Sequence, residues 1–181
     1  EDCQLVVQAG GIGKPGEVLI LDMGENSTDL AVVYGDTPRL VRTVPNGLNS
    51  LVRAAVQNLN VQEDQARQFI LKFGLAPDRL DGQVLRAIDT VLDSFASELV
   101  KSIKFFQTRY PNIQVAGILL SGFGAVIPQI DGYISTKTGV QAVTANPWQR
   151  VQVSQADQQQ LAPIASEFAT VVGLAQRRNE S

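Results

Sequence analysis

The feature that most constrains the fold of this chain is the stretch over residues 18–34, which has the pattern of two short strands joined by a polar turn. Residues 18–21 form an apolar run of buried-strand length, and residues 28–34 form a second run rich in strand-forming residues. The first run ends at Asp22, so its carboxylate should project from the edge of a sheet towards whatever the turn encloses. Two interpretations fit this pattern: an ordinary hairpin with an exposed aspartate, and a hairpin that binds nucleotide phosphates.

The residue types of the turn suit the phosphate interpretation. A carboxylate such as that of Asp22 can hold a hydrated Mg²⁺, an ion that usually takes only one or two protein carboxylates. Gly24 lets the backbone approach a ligand closely, and the hydroxyls and amides of Ser27 and Thr28 can hydrogen-bond phosphate oxygens. Asn26 adds a further polar side chain to the turn. On spacing alone, the ordinary hairpin is the simpler hypothesis.

Composition excludes several classes of function. The 181 residues fit one domain or two small ones, and 44% apolar with 18% charged residues indicates a globular chain. A net charge of −3 without a basic cluster argues against nucleic acid as a partner. The absence of histidine excludes His-based catalysis, and the single Cys3 excludes an internal disulfide. No apolar run approaches the roughly 20 residues that span a bilayer, so we expect no direct membrane span.

The glycine-rich start of the chain is not a nucleotide motif. Residues 11–16 match G-x-G-x-x-G by letter, but that fingerprint requires a strand before it and a helix opening on it. Here Pro15 interrupts the loop and a strand follows. We therefore predict that residues 1–17 are a lead-in or linker. Because the chain starts at Glu1 and enters a strand almost at once, we also expect it to be a fragment of a longer protein.

The rest of the chain predicts an α/β fold in which a mixed sheet starts with an antiparallel meander and is flanked by helices. Asn46 is the predicted N-cap of the first helix, and Asn60 with Glu63 resembles a capping box for the second, which Gly74 closes. The predicted strands are 39–44, 115–121 and 141–144, and the predicted helices are 48–59, 60–73, 81–107, 125–138 and 163–176.

The strand over 115–121 leads into a second candidate corner, Gly122-Phe123-Gly124. A turn of small residues at a helix N-terminus can accept an anion or a nucleoside. An ordinary connection between a strand and a helix has the same pattern, so this corner is informative only together with the turn at Asp22.

Several stretches, in this order, resemble one family. Residues 21–32 are similar to the second phosphate-binding hairpin of the actin-like ATPase superfamily, which includes actin, sugar kinases and FtsA. The resemblance is most specific for the PilM family of type IV pilus assembly proteins. Residues 45–49 resemble its glycine turn, 98–106 its Glu-x-x-Arg-Ser-x-x-Phe-Tyr helix, and 119–127 with 144–148 its glycine corner and Ala-Asn-Pro-Phe turn. The resemblance covers residues 18–178 as the second half of such an ATPase.

This resemblance implies an actin-like (ribonuclease H-like) domain, with residues 18–46 and 108–178 as subdomain 2A and 47–107 as a helical subdomain 2B. It implies that Asp22 holds Mg²⁺ or its water and that the turn meets the β- and γ-phosphates of ATP. It requires the turn and the glycine corner to open onto one hollow. The residues implied are Gly24, Ser27 and Thr28 for the phosphates, Glu98, Lys101 and Ser102 for the ribose and adenine, and Gly122 and Gly124 under the nucleoside.

Two departures from the family pattern bear on this site. Phe123 stands where the family usually has glycine, and its ring either stacks on a base or fills the pocket. Lys101 replaces an arginine, which turns a flat two-point contact into a point charge. Glu98 and Lys101 also fit an exposed helical charge pair, which stabilises a helix by only a few tenths of a kcal/mol.

The function implied is an ATP-binding cytoplasmic scaffold of type IV pilus assembly, peripheral to the inner membrane. The first half of such a protein would bind a PilN-like membrane partner. We expect at most weak ATPase activity in the whole protein and none in this piece alone, because half a cleft leaves the phosphates solvated. The alternatives are a small-molecule kinase of the same superfamily and a filament-forming protein of the FtsA type.

Overall fold

A computed structural model of the chain describes residues 17–34 and 37–146, together with Trp148, Asp157 and Leu161. Most of the predicted lead-in over 1–17 and the predicted helix over 163–176 lie outside the described residues. The predicted division into subdomains stays a prediction.

The described strands form one mixed sheet of order β3-β2-β1-β4-β5. Strands β1 (Glu17–Met23), β2 (Thr28–Tyr34) and β3 (Thr37–Val44) make an antiparallel meander. Strand β4 (Val115–Gly122) then pairs with β1 in parallel, and β5 (Ala142–Thr144) pairs in parallel with β4. The predicted fold class, a mixed sheet that starts with a meander and is flanked by helices, is confirmed.

Strand β1 is central and is buried on both faces, which explains why it is almost continuously apolar. Leu19, Leu21 and Met23 belong to the main core, whereas Val18 packs with Leu119 in a second, smaller cluster on the opposite face. Because side chains alternate between faces along a strand, Asp22 projects on the same face as Val18.

The described helices are α1 (Leu48–Leu59), α2 (Glu63–Phe73), α3 (Gln83–Arg109) and α4 (Ile130–Thr138), with short 3₁₀ turns at Leu80–Gly82 and Phe123–Ala125. Helices α1–α3 follow β3, and α4 connects β4 to β5. The apolar stripe of α3 packs into the main core, with Phe95, Leu99 and Phe106 almost fully buried. No helix in these ranges is long and apolar enough to cross a membrane.

Two predicted helix caps are wrong. Helix α1 covers the predicted residues, but its N-cap is Gly47 rather than Asn46, and no side chain caps it. Asn60 does not open α2; its left-handed conformation (φ 53°) ends α1 instead, and Gln62 is the N-cap of α2. Asparagine adopts this conformation more readily than most residues, so it serves as well at a helix end as at a start.

Two helix starts also differ from the prediction. Helix α3 begins at Gln83 because Asp81 has a left-handed backbone (φ 50°) that interrupts the helix. Helix α4 begins at Ile130 rather than beside the glycine corner. Pro128 disfavours a helical conformation at the residue before it, and Gln129 is left-handed (φ 62°). The corner is therefore a 3₁₀ turn and not the N-terminus of a long helix.

Candidate functional site

The turn after β1 and the corner after β4 meet at one edge of the sheet. In the parallel pair, Asp22 lies opposite Ser121 and Met23 lies opposite Gly122. A Cβ atom on Gly122 would lie 2.6 Å from Oδ1 of Asp22 and 2.4 Å from the carbonyl oxygen of Met23. The carboxyl ends of parallel strands are where open α/β sheets bind ligands. The turn and the corner therefore lie side by side at this edge of the sheet, whereas the nucleotide site itself stays a prediction.

Asp22 is exposed, yet the surrounding protein makes its charged form less favourable than in water. Partial desolvation raises the pKa of the Asp22 carboxyl above its ordinary value, and the carboxylate of Asp29 raises it further. A hydrogen bond from the Ser121 hydroxyl acts in the opposite direction and favours the charged form. A bound cation would offset the repulsion between the carboxylates of Asp22 and Asp29, so the Asp22 carboxylate fits the role of a metal ligand.

Asp29 is the direct partner of Asp22 in the β1–β2 ladder. Paired residues project on the same face, which places the two carboxylates side by side. Oδ1 of Asp29 accepts a hydrogen bond of 2.5 Å from the Thr43 hydroxyl. Within the described ranges, no three metal-ligating side chains come together. The donor set suits an ion such as Mg²⁺, which binds through one or two carboxylates and completes its shell with water or phosphate oxygens.

The polar turn is fastened to the start of α1 through its backbone carbonyls. Gly24 donates to the carbonyl of Ser27 at 2.8 Å, which closes the turn. The first amides of α1 then donate to the turn: Leu48 to Gly24 at 3.0 Å and Asn49 to Glu25 at 2.8 Å. These bonds satisfy helix amides that no side chain caps. The turn is therefore held in place by the helix that follows the meander.

The remaining polar residues of the turn have different roles. Thr28 is fully buried, and its hydroxyl donates to the carbonyl of Asn46 at 2.6 Å, so its only hydroxyl proton is committed to the protein. The side-chain oxygen of Asn26 accepts a hydrogen bond from Asn49 at 3.0 Å. The half-buried side chain of Ser27 makes no hydrogen bond to the part of the chain that the structure describes. Ser27 thus keeps a hydroxyl proton for a ligand.

An arginine that the sequence analysis did not single out joins the turn to the corner. Arg67 of α2 donates to both carboxylate oxygens of Glu25, at 3.0 and 2.6 Å, and to the side-chain oxygen of Asn49 at 3.1 Å. Its guanidinium carbon also lies 5.9 Å from the ring centroid of Phe123. The Arg67 side chain lowers the pKa of Glu25, first through this hydrogen bonding. No sequence motif marks Arg67, because its partners are distant in the chain.

The corner itself combines one strained glycine with a half-buried aromatic. Gly122 has φ +59° and is crowded by backbone, so a larger residue does not fit there. Gly124 is buried beside Leu21 and Met23. The Phe123 side chain packs against the main core. Its ring thus contacts both the core and the guanidinium of Arg67.

The structure does not join Glu98, Lys101 and Ser102 to this group. Arg42 of β3 donates to Glu98 at 2.6 Å and to Ser102 at 3.0 Å, and Lys101 donates to Glu98 at 2.8 Å. Arg42 pairs with Leu30, which lies on the main-core face, whereas Asp22 projects on the other face. None of the hydrogen bonds or ion pairs that the described residues make links these three side chains to the turn or the corner.

A groove of about 420 Å³ lies between α3 and α4. Of the predicted site residues, only Lys101 contributes to its lining, together with Asp93, Ala96, Ser97, Val100 and Lys137. Asp93 in this groove accepts hydrogen bonds from Lys137 and from the hydroxyl of Tyr133. The groove is therefore separate from the edge of the sheet where Asp22 and Gly122 meet.

Comparison with known proteins identifies both fold and family. The family model for type IV pilus assembly protein PilM matches residues 4–179. The structure of a PilM–PilN type IV pilus biogenesis complex is similar over 96% of this chain and 48% of that chain, with 26% identity and a TM-score of 0.76.

Two other solved structures share the fold at lower identity. The ethanolamine utilization protein EutJ from Carboxydothermus hydrogenoformans has 16% identity and a TM-score of 0.64 over 97% of this chain and 53% of that chain. An MreB of Spiroplasma citri bound to AMPPNP has 15% identity and a TM-score of 0.67 over 97% of this chain and 57% of that chain. The chain spans about half the length of these similar structures. Its fold is that of the actin-like ATPases, and the family match over almost its whole length shows that the chain belongs to the PilM family of type IV pilus assembly proteins.

Proposed function

We propose that this chain forms the second half of an ATP-binding cleft in a scaffold protein of type IV pilus assembly. The observation that carries the proposal is the meeting of the Asp22 turn with the Gly122 corner at one sheet edge. The MreB of similar fold was solved with AMPPNP, an ATP analogue, which supports ATP as the ligand. Membership of the PilM family supports the role in pilus assembly.

The proposed phosphate side of the site uses only groups that the fold leaves accessible. Asp22 holds Mg²⁺ or one of its waters, and the bound ion would neutralise part of the phosphate charge. Gly24 and Ser27 meet the β- and γ-phosphates, where the exposed glycine allows close approach and the serine hydroxyl donates. Gly122, Phe123 and Gly124 lie beneath the nucleoside.

Four of the residues implied by the resemblance have a supporting role or none in this proposal. Thr28 fixes the turn, because its hydroxyl proton is bonded to Asn46. Arg42 bonds to Glu98 and Ser102, and Lys101 bonds to Glu98, so these side chains interact with one another and with β3 rather than with the turn or the corner. We therefore leave these three α3 residues outside the proposed site.

The partner we propose is a PilN-like protein of the inner membrane. The matched chain of the solved PilM–PilN complex is 26% identical to this chain, which covers 48% of it. We place the partner's binding surface on the other half of the PilM fold, which makes the protein cytoplasmic and peripheral to the membrane. Co-purification of a PilN-like peptide with the protein at its full natural length, but not with this chain alone, is the expected result. Retention of the peptide by this chain alone would contradict it.

The proposal includes little or no catalysis by this chain. Catalysis of phosphoryl transfer depends on donors that are preorganised in a site from which water is excluded. The edge that carries Asp22 is exposed, so the phosphates would remain solvated. The kinase and filament alternatives are less well supported, because the match to the pilus assembly family extends over residues 4–179.

Calorimetry with Mg·ATP tests the site. On the protein at its full natural length, we expect the substitution Asp22→Asn to weaken Mg·ATP binding by about tenfold or more, since a hydrogen bond or ion contact to a charged group contributes about 1.5–3 kcal/mol. With EDTA in place of Mg²⁺ the difference should shrink.

The matched control is Asp78→Asn, which removes an exposed carboxylate whose ion partner is its neighbour Arg79. This control should bind Mg·ATP as the wild type does. Absence of binding by the wild type, or equal binding by Asp22→Asn, would refute the proposed function.

A further inference from the structure

The hydrogen bonds of Arg67 form part of a closed ring around the polar turn. Arg67 holds the carboxylate of Glu25 with both arms of its guanidinium and also bonds to Asn49. Asn49 in turn donates to Asn26, the next residue of the turn. Two consecutive turn residues are thus held by side chains from two different helices, α1 and α2. A two-point contact of this kind restricts orientation as well as distance.

The same guanidinium also reaches the corner. It lies 5.9 Å from the ring centroid of Phe123, within the range of a cation–π contact. Just beyond the end of α2, the amide of Leu75 donates to the carbonyl of Pro128, in the segment between the corner and α4, at 3.0 Å. One helix therefore contacts both parts of the candidate site, and Arg67 is the side chain through which it reaches each of them.

The charge of Arg67 matters because of where Glu25 lies. Glu25 is in the turn that would meet the phosphates, and its carboxylate is 43% exposed. An unpaired carboxylate at this position would repel an anionic ligand. The bidentate contact with Arg67 neutralises that charge and keeps the carboxylate directed towards α2.

We propose that Arg67 is the positioning residue of the nucleotide site: it holds the 24–27 turn and the Phe123 ring in one arrangement before the ligand binds, and it neutralises Glu25. This role rests on the proposed function. Groups that are already ordered before binding lose less entropy when the ligand arrives, so affinity depends on them without direct contact. Arg67 itself need not touch the nucleotide.

The test compares four variants with the wild type, all at full natural length, by Mg·ATP calorimetry. We expect Arg67→Ala to weaken binding by about tenfold. Arg67→Lys keeps the charge but loses the bidentate contact with Glu25, so its affinity for Mg·ATP should lie between those of the wild type and Arg67→Ala. Adding Glu25→Gln to Arg67→Ala should restore part of the affinity, because the unpaired carboxylate is then gone. The control Arg53→Ala removes an exposed arginine of α1 whose side chain bonds, among the described residues, only to Ser50, and this variant should bind Mg·ATP as the wild type does.

A second readout needs no nucleotide. Hydrogen exchange of the Gly24 amide, which closes the turn, should be faster in Arg67→Ala than in the wild type and in Arg53→Ala. If Arg67 only stabilised the fold, Arg67→Ala would lower the melting temperature, but adding Glu25→Gln would not restore its affinity for Mg·ATP.

The outcomes separate the two proposals. If the wild type binds Mg·ATP and Arg67→Ala binds it within about twofold of the wild-type affinity, the role of Arg67 is overturned. The same holds if adding Glu25→Gln to Arg67→Ala restores none of the lost affinity. In both cases the proposed nucleotide site is unaffected. No Mg·ATP binding by the wild type overturns the proposed function, and the role of Arg67 with it.

Discussion

Gly122 is the residue on which the geometry of the corner depends. Its φ of +59° and the two oxygen atoms within 2.6 Å of a would-be Cβ leave no room for a side chain. We expect Gly122→Ala to lower the free energy of unfolding by about 2–4 kcal/mol, from the left-handed backbone and the overpacking together. Chemical denaturation measures this change.

The matched control for this substitution is Gly132 of α4, where an added Cβ would meet nothing within 4 Å. Gly132→Ala should stabilise the protein by about 0.5–1 kcal/mol, because alanine favours a helix over glycine. Equal effects of the two substitutions would show that the crowding at the corner is absent in solution.

The raised pKa of Asp22 makes a prediction about stability and pH. A carboxyl whose pKa is raised by folding stabilises the folded state when it is protonated, and that contribution is lost as the pH rises through the folded pKa. At neutral pH and without ligand, Asp22→Asn should therefore melt at a higher temperature than the wild type. Well below the reference pKa of 3.8 the advantage should disappear.

Thermal melts between acidic and neutral pH, with Asp78→Asn as the control, measure how the melting-temperature difference between Asp22→Asn and the wild type changes with pH. An advantage of Asp22→Asn that grows towards acidic pH would contradict the assignment. Stability given up by a charged group at neutral pH is typical of residues kept for binding rather than for folding.

At the scale of elements, the start of α1 and the polar turn are one structural unit. A Cβ on Gly47 would lie 2.6 Å from the carbonyl oxygen of Gly24 and 2.7 Å from backbone atoms of Glu25, so the helix would have to move away from the turn. We expect Gly47→Ala to cost about 2–4 kcal/mol of stability through overpacking and weakened hydrogen bonds.

Hydrogen exchange gives this prediction its specific readout. The amides of Leu48 and Asn49, which donate to the turn, should exchange faster in Gly47→Ala, whereas amides in the middle of α3 should not. Unchanged exchange at Leu48 and Asn49 would mean that α1 does not depend on this close approach.

Local patterns predict most of the elements but not how each of them is capped. The bounds of α1, Leu48–Leu59, are those predicted from the break at residues 45–47, because proline and glycine interrupt the preceding strand pattern there. Its cap could not be predicted in this way, since the groups that accept its first amides are carbonyls more than twenty residues earlier in the chain. Asn60 was misassigned because asparagine suits a helix end as well as a helix start.

The same distinction applies to the site. Asp22 and Gly122 are predictable, because each follows directly from a run of strand residues and parallel strands bring such ends together. Ser121 and Asp29 join them only through the strand register, and Arg67 only through the packing of α2. The resemblance implied a role for Glu98 near the ribose, but the stretches that carry the resemblance do not include Arg42, which bonds to Glu98 in this structure.

At the scale of the whole molecule, the chain corresponds to about half the length of its structural relatives, and we propose that it forms one side of a nucleotide cleft. We therefore expect weak Mg·ATP binding by this chain alone and tighter binding at full natural length. In this proposal the turn and the corner, rather than the groove between α3 and α4, form the nucleotide side of that cleft.

Paramagnetic relaxation tests this claim most directly, because it locates even a weakly bound ion. Titration of this chain with Mn·ATP, in which Mn²⁺ replaces Mg²⁺, should broaden the amide signals of Gly24, Ser27 and Gly122 first, and Asp22→Asn should suppress the broadening. Broadening centred on Ser97 and Lys101 in the groove, or broadening that Asp22→Asn leaves unchanged, would contradict the account.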